Sequence, residues 1–164
     1  MDHEADPHFL AARLGDYLVA AGARLATAES CTGGGIAATC TAVEGSSNWF
    51  EAGFVTYSEA MKQRLLGVSH DLFVRHGAVS EPVARAMAEG ALTATGVELA
   101  LAVTGIAGPT GGEVLKPVGT VWFAWAQRGQ RTEVAVERLE GDRESICRAA
   151  VVRSLSGALA LLAR

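Results

Sequence analysis

Ser30 stands in the run Ala28-Glu29-Ser30-Cys31-Thr32-Gly33-Gly34-Gly35, where three glycines leave the backbone unshielded. A serine hydroxyl in this setting is a potential nucleophile. The amides of Cys31, Thr32, Gly33 and Gly34 are potential donors to a phosphate or to a developing oxyanion. A short strand-like segment precedes the run and an apolar segment with room for a helix follows it. Such a strand–turn–helix gathers free N–H groups and the positive end of a helix dipole at one point. Cys31 is a competing nucleophile, because a thiolate at a helix N-terminus is activated by the same dipole. Adjacent side chains leaving a strand point in different directions, so only one of Ser30 and Cys31 faces a ligand; spacing does not choose between them. The plainer reading of Ser30 stands beside these: a turn or N-cap serine whose hydroxyl accepts a backbone N–H.

A serine has no nucleophilic power without a base. His3 and His8 lie near the N-terminus and His70 and His76 flank a short polar segment, positions that suit surface or capping histidines and give no metal-ligand spacing. Lys62 is the better base candidate, beside the plainer reading of a solvated helix lysine. It follows Ser58 by one helical turn on one face, and Tyr57 ends the preceding strand at the same crevice. A lysine serves as a base only where burial or a neighbouring cation lowers its pKa. A second glycine-rich loop, Gly105 to Gly112, follows the apolar stretch Glu98–Thr104, so Thr104 and Gly105 offer a hydroxyl and an amide to a ligand. Neither loop carries the P-loop or dinucleotide-binding pattern. Arg143 opens a helix, where it opposes the dipole and thereby points to an anionic partner; Glu81 and Asp142 suit a first turn and an N-cap.

The elements that must hold these residues are legible from periodicity. Residues 8–21 repeat apolar side chains at helical spacing and end at Gly22. Strands are predicted at 24–28, 50–57 and 98–104, with helices at 33–44, 58–66, 71–76 and 80–95. A hairpin is expected over 118–126 and 132–139 around Arg128-Gly129-Gln130, and Asp142 caps a final helix over 143–163. Helices interleaved with early strands predict a mixed sheet between helical layers, with the site beyond the carboxyl ends of the strands.

Composition bounds the rest. The 164 residues suit one domain over 1–164, with residues 1–7 expected as a flexible N-terminal tail. A net charge of −4 argues against nonspecific nucleic-acid binding. Cys31, Cys40 and Cys147 cannot all pair within the chain, which fits a reducing compartment. The acidic start lacks the basic region of a signal peptide, and the apolar run 155–163 is too short to span a bilayer. A cytoplasmic enzyme or binding protein, without membrane or nucleic-acid partners, is the expectation.

Taken in order, five motifs resemble one family: Ala28-Glu29-Ser30-Cys31-Thr32-Gly33-Gly34; Gly53-Phe54-Val55-Thr56-Tyr57-Ser58 with Lys62; His76-Gly77-Ala78-Val79-Ser80-Glu81-Pro82; Thr104-Gly105-Ile106-Ala107-Gly108-Pro109; and Lys116-Pro117-Val118-Gly119-Thr120-Val121. The chain resembles the CinA C-terminal domain family, the nicotinamide mononucleotide deamidases, over residues 8–160. The resemblance implies a three-layer α/β/α sandwich, a homo-oligomer, no metal or other cofactor, and hydrolysis of the nicotinamide mononucleotide carboxamide to nicotinate mononucleotide and ammonia. It points to Ser30 as nucleophile, Lys62 as general base and Tyr57 as an assisting group, with the amides of residues 31–34 holding the oxyanion. The substrate phosphate is expected on Gly105, Gly108 or the Ser46-Ser47 turn, with Arg143 as a partner. A non-catalytic nucleotide-binding module and a Cys31-dependent amidohydrolase are the alternatives.

Overall fold

Alternation along two neighbouring strands decides the layering. In the computed structural model, which describes residues 6–164, strand β3 (Leu99–Gly105) turns Leu99, Leu101 and Val103 to one face and Ala100 and Ala102 to the other. Strand β4 (Thr120–Gln127) repeats the division, with Val121, Phe123 and Trp125 opposite Ala124 and Ala126. Period-two alternation thus gives the sheet a bulky face and a flat one. On the bulky face lie helices α1 (Pro7–Ala21), α2 (Gly35–Thr41) and α6 (Arg143–Leu162), with Leu10, Leu14, Ile36, Ile146 and Leu155 buried against the sheet. Helices α3 (Glu59–Leu66), α4 (His70–His76) and α5 (Glu81–Thr95) cover the flat face.

The flat face is an alanine pavement. The register places Ala102 between Ala28 and Ala124, and Ala100 beside Ala126, while α5 presents Ala84, Ala88 and Ala91 to it. Small side chains on both surfaces bring α5 close to the sheet, and α3 then packs tightly on α5. A Cβ at Gly90 would stand 1.9 Å from the Leu66 carbonyl oxygen at the end of α3. That contact leaves room for glycine alone, and it fixes the helix that carries Lys62.

Strands β1 (Leu25–Glu29), β2 (Phe50–Val55) and β3 run parallel, and β4 and β5 (Glu133–Arg138) complete the order β2-β1-β3-β4-β5 with antiparallel pairings. This is the expected α/β/α sandwich with a mixed sheet. The topology brings five segments to one edge: those following β1, β2 and β3, the loop entering β4, and the turn from β5 into α6. Ser46 falls at the other edge, contrary to its expected place in the site. It lies in a one-turn 3-10 helix, Ser46–Asn48, whose neighbour Trp49 receives the Leu25 amide at the start of β1.

Asp6 caps α1 and Pro7 begins it, so the helix reaches into the segment expected as a tail; His3 lies outside the described residues. Helix α6 is long and apolar enough to cross a membrane by length and composition, yet Ile146, Ala150, Val151, Leu155 and Ala158 are buried in the core.

Candidate active site

Helix α3 places its one lysine inward. Ser58 caps the helix by accepting from the Met61 amide at 3.2 Å, and one turn later Lys62 is 1% exposed. Its Nζ lies 2.9 Å from Ser30 Oγ, 2.6 Å from the Thr56 carbonyl oxygen and 3.3 Å from that of Tyr57. Burial pushes the Lys62 amine below its ordinary value of 10.5, against a smaller upward pull from Cys31 and Glu59. Nζ donates to Ser30 Oγ and to both carbonyls; in the neutral form an amine keeps two N–H bonds for the carbonyls and a lone pair for the hydroxyl. The arrangement is a buried lysine in hydrogen-bond contact with a serine hydroxyl.

The backbone ties the pair together. The Ser30 amide donates to the Val103 carbonyl at 3.0 Å, and the Thr56 amide donates to the Glu29 carbonyl at 2.9 Å. The strand ends that carry Ser30 and hold Lys62 are thus joined directly through Glu29 and Thr56.

A cleft of about 290 Å³ opens over the pair, bordered by Ser30, Cys31, Lys62, Tyr57, Thr104 and Arg143 among others. A larger depression of about 840 Å³ lies around the β5 edge, lined by Arg85, Arg131 and Glu133 among others, and it contains no paired nucleophile and base. The chemistry favours the smaller cleft. Gly105 and Gly108 line it, as do Glu59 and Ala78, which the sequence did not single out as site residues. Thr104 is a wall rather than a free donor: its hydroxyl donates to the Ala78 carbonyl at 2.9 Å.

Arg143 crosses the mouth of the cleft. Nη1 donates to the Gly108 carbonyl and Nη2 to the Tyr57 hydroxyl, each at 2.8 Å. The Tyr57 hydroxyl therefore supports Arg143, while its carbonyl supports Lys62; among the described residues its hydroxyl makes no bond to Ser30. Asp142 caps α6 through the Ser145 amide at 2.9 Å, which fixes the point from which Arg143 departs.

The glycine turn differs from its expected form. Gly33 and Gly34 adopt positive φ of 60° and 99°, the left-handed region that glycine enters freely, so α2 begins at Gly35 rather than 33. The first-turn amides do not face the cleft. Glu29, fully buried, accepts the Gly34, Ile36 and Ala37 amides and the Thr32 hydroxyl. The Gly33 amide is taken by the Ser30 carbonyl. Of the four amides expected to face a ligand, only those of Cys31 and Thr32 have no oxygen acceptor among the described residues. Glu29 could have been anticipated: a carboxylate ending a short, mostly apolar strand needs donors to replace its water, and the glycine turn beside it supplies backbone amides.

Cys31 is poorly suited to attack. Burial, the nearby Cys147 and Glu29 push its thiol up to about 12, against weaker downward pulls that include its own backbone amide, so it is protonated at neutral pH. Cys147 donates its thiol hydrogen to the Cys31 carbonyl with Sγ at 3.2 Å.

A buried serine–lysine pair thus lies at the carboxyl edge of a mixed α/β/α sheet. The chain belongs to the CinA family: the CinA C-terminal domain model matches residues 7–162. It is 53% identical over 152 residues to a protein of Pseudomonas putida named nicotinamide-nucleotide amidohydrolase PncC, covering 93% of this chain and 94% of that protein. The protein of the same name from Escherichia coli K12 is 48% identical over 146 residues, covering 89% of this chain and 88% of that one. A crystal structure of a competence-damaged protein (CinA) superfamily protein from Escherichia coli superimposes with a TM-score of 0.94 at 41% identity, covering 98% of this chain and 92% of that one.

Proposed function

We propose that this chain hydrolyses the carboxamide of nicotinamide mononucleotide, with Ser30 as nucleophile and Lys62 as general base. The observation that carries the mechanism is the 2.9 Å contact between Lys62 Nζ and Ser30 Oγ, made where two carbonyls hold the amine and burial depresses its pKa. The relatives named nicotinamide-nucleotide amidohydrolase support the substrate.

The chemistry proceeds in two halves. Neutral Lys62 takes the hydroxyl proton as Ser30 Oγ bonds to the amide carbon, and the resulting oxyanion is held by the amides of Cys31 and Thr32, which have no oxygen acceptor of their own among the described residues. Protonated Lys62 returns that proton to the departing nitrogen, the C–N bond breaks, and ammonia leaves an acyl-serine. A water molecule, deprotonated by Lys62, adds to the ester carbon; the C–O bond to Ser30 breaks and Ser30 recovers the proton. The products are nicotinate mononucleotide and ammonia.

The phosphate subsite falls to Arg143 and the loop that contains Gly105 and Gly108. Arg143 uses Nη1 and Nη2 on neutral oxygens that an anionic group readily supplements. Replacing Arg143 by alanine is expected to raise KM about tenfold to one-hundredfold with a smaller change in kcat, as measured by initial rates across substrate concentration. An unchanged KM would move the phosphate elsewhere.

Ammonia release from nicotinamide mononucleotide by the purified chain, followed with nicotinate mononucleotide formation, tests the activity itself. Stoichiometric formation of both is expected. Binding without turnover would leave a nucleotide-binding module in its place.

A further inference from the structure

Glu29 is an acid that the mechanism above does not use, and it is the most heavily bonded side chain beside the nucleophile. Its Oε2 accepts from the Thr32 hydroxyl at 2.6 Å, the Ile36 amide at 3.0 Å and the Gly34 amide at 3.2 Å, and its Oε1 accepts from the Ala37 amide at 2.8 Å. Both of its oxygens act as acceptors. Burying such a group is costly unless donors replace its water, and four donors do so here.

We propose that Glu29 is a positioning residue for the amide hydrolysis proposed above, on which this inference rests. Its carboxylate folds the glycine turn inward as an internal anion. Three consequences follow from the geometry. The first-turn amides of α2 are consumed, so the turn is not an open anion cradle, and a substrate phosphate is left to the Arg143 side of the cleft. Of the turn's first amides, those of Cys31 and Thr32 are the ones left without an oxygen acceptor among the described residues. Finally, the Glu29 side chain grips the turn after Ser30 while its backbone carbonyl accepts from Thr56, whose own carbonyl receives Lys62. One residue thereby fixes the nucleophile and the backbone that holds its base in a single frame. Glu29 touches neither the reacting atoms nor Lys62, so its influence runs through the turn.

The test separates positioning from mere folding support. Glu29→Gln keeps the shape of the side chain but turns an NH2 group toward at least one of the four donors, and the turn must shift. Sites competent to react are counted by stoichiometric labelling of Ser30 with a fluorophosphonate, and kcat is expressed per labelled site. We expect kcat per site to fall about one-hundredfold, the labelling rate to fall in parallel, KM to stay within about threefold, and the pH midpoint to be retained, because Lys62 keeps its own partners. A purely structural role would lower thermal stability and the number of labelled sites but leave turnover per site within threefold of native, and that result overturns the proposal.

Thr32→Ala provides the milder probe should Glu29→Gln fail to fold. It removes the 2.6 Å donor and is expected to cost about tenfold in kcat per site at unchanged KM, with Thr32→Ser recovering most of the loss. Equal turnover in Thr32→Ala and native protein, or no recovery in Thr32→Ser, also overturns it. Labelling requires no knowledge of the substrate. A native chain that is labelled at Ser30 but releases no ammonia from nicotinamide mononucleotide sinks the substrate reading alone, and the Glu29 comparison still stands on labelling rates. A native chain that is neither labelled nor active sinks both.

Discussion

Replacing Ser30 by alanine is expected to lower kcat for release of ammonia from nicotinamide mononucleotide by between about 10³- and 10⁶-fold, with little change in substrate affinity. The hydroxyl is removed while the cleft, Arg143 and the backbone amides of Cys31 and Thr32 survive, so binding persists and bond-making is lost. Cys31→Ala provides the contrast. Its thiol is held protonated by burial, its pKa raised to about 12, and its contribution to the site is a backbone amide that alanine retains. A loss below about tenfold is expected for it, chiefly from imperfect packing beside Cys147. Rapid-mixing experiments sharpen the comparison: native and Cys31→Ala proteins should form a covalent adduct on Ser30, seen by peptide mass mapping, and Ser30→Ala should form none. Full turnover in Ser30→Ala together with its loss in Cys31→Ala would transfer the nucleophile to sulfur.

The sequence disclosed the scaffold more fully than the site, for reasons that lie in particular residues. Helix ends were legible because caps are local: Asp142 and Ser58 accept amides three residues on, and Gly22, Gly67 and Gly96 close helices in the left-handed conformation. The apolar run before Thr104 marked the buried strand next to β1. The partition of bulky and small side chains across β3 and β4 was equally present in the sequence, but its meaning appears only with the register, which pairs alanine with alanine beneath α5.

Within the site, local spacing placed Lys62 one turn after Ser58 on one face of a helix and Ser30 in a glycine turn, while the inward direction of Lys62 appears only in the fold. Spacing could not measure the gap between residues that lie 32 positions apart. Three details depend on tertiary contact. Glu29 bends back onto amides up to eight residues ahead, which reverses the expected sense of the turn by occupying donors that seemed open. Ser46 carries suitable chemistry at the wrong edge of the sheet, a consequence of β1 and β2 running parallel. Tyr57 contributes its carbonyl to Lys62, a contact to which side-chain identity gives no clue.

Lys62→Met is expected to reduce kcat at least 10³-fold, and its pH behaviour bears directly on the proposed base. The native kcat/KM should rise with pH through the depressed Lys62 pKa, because only the neutral amine accepts the Ser30 proton; residual activity in the variant should lack that limb. Stability changes in the same sense. In the unfolded chain Lys62 releases its proton near its ordinary value of 10.5, whereas in the folded chain burial makes it do so earlier. Between those two values the unfolded state holds more protons, so folding stability rises with pH across that window. Below the folded value the ammonium is charged in both states and the penalty of burying it is present in full. Methionine titrates nowhere, so the Tm of native protein relative to Lys62→Met should climb as pH increases through the window and level off above about 10.5. Comparing the two proteins at each pH is necessary because Cys31 and Cys40, both pushed up to about 12, lose stability in the opposite sense above their ordinary value of 9.0 and largely cancel in the difference. A native pH profile without a rising limb, joined to a pH-independent Tm difference, would show that Lys62 is not depressed and would remove it from the role of base. A rising limb that persists unchanged in Lys62→Met would assign the titration to another group.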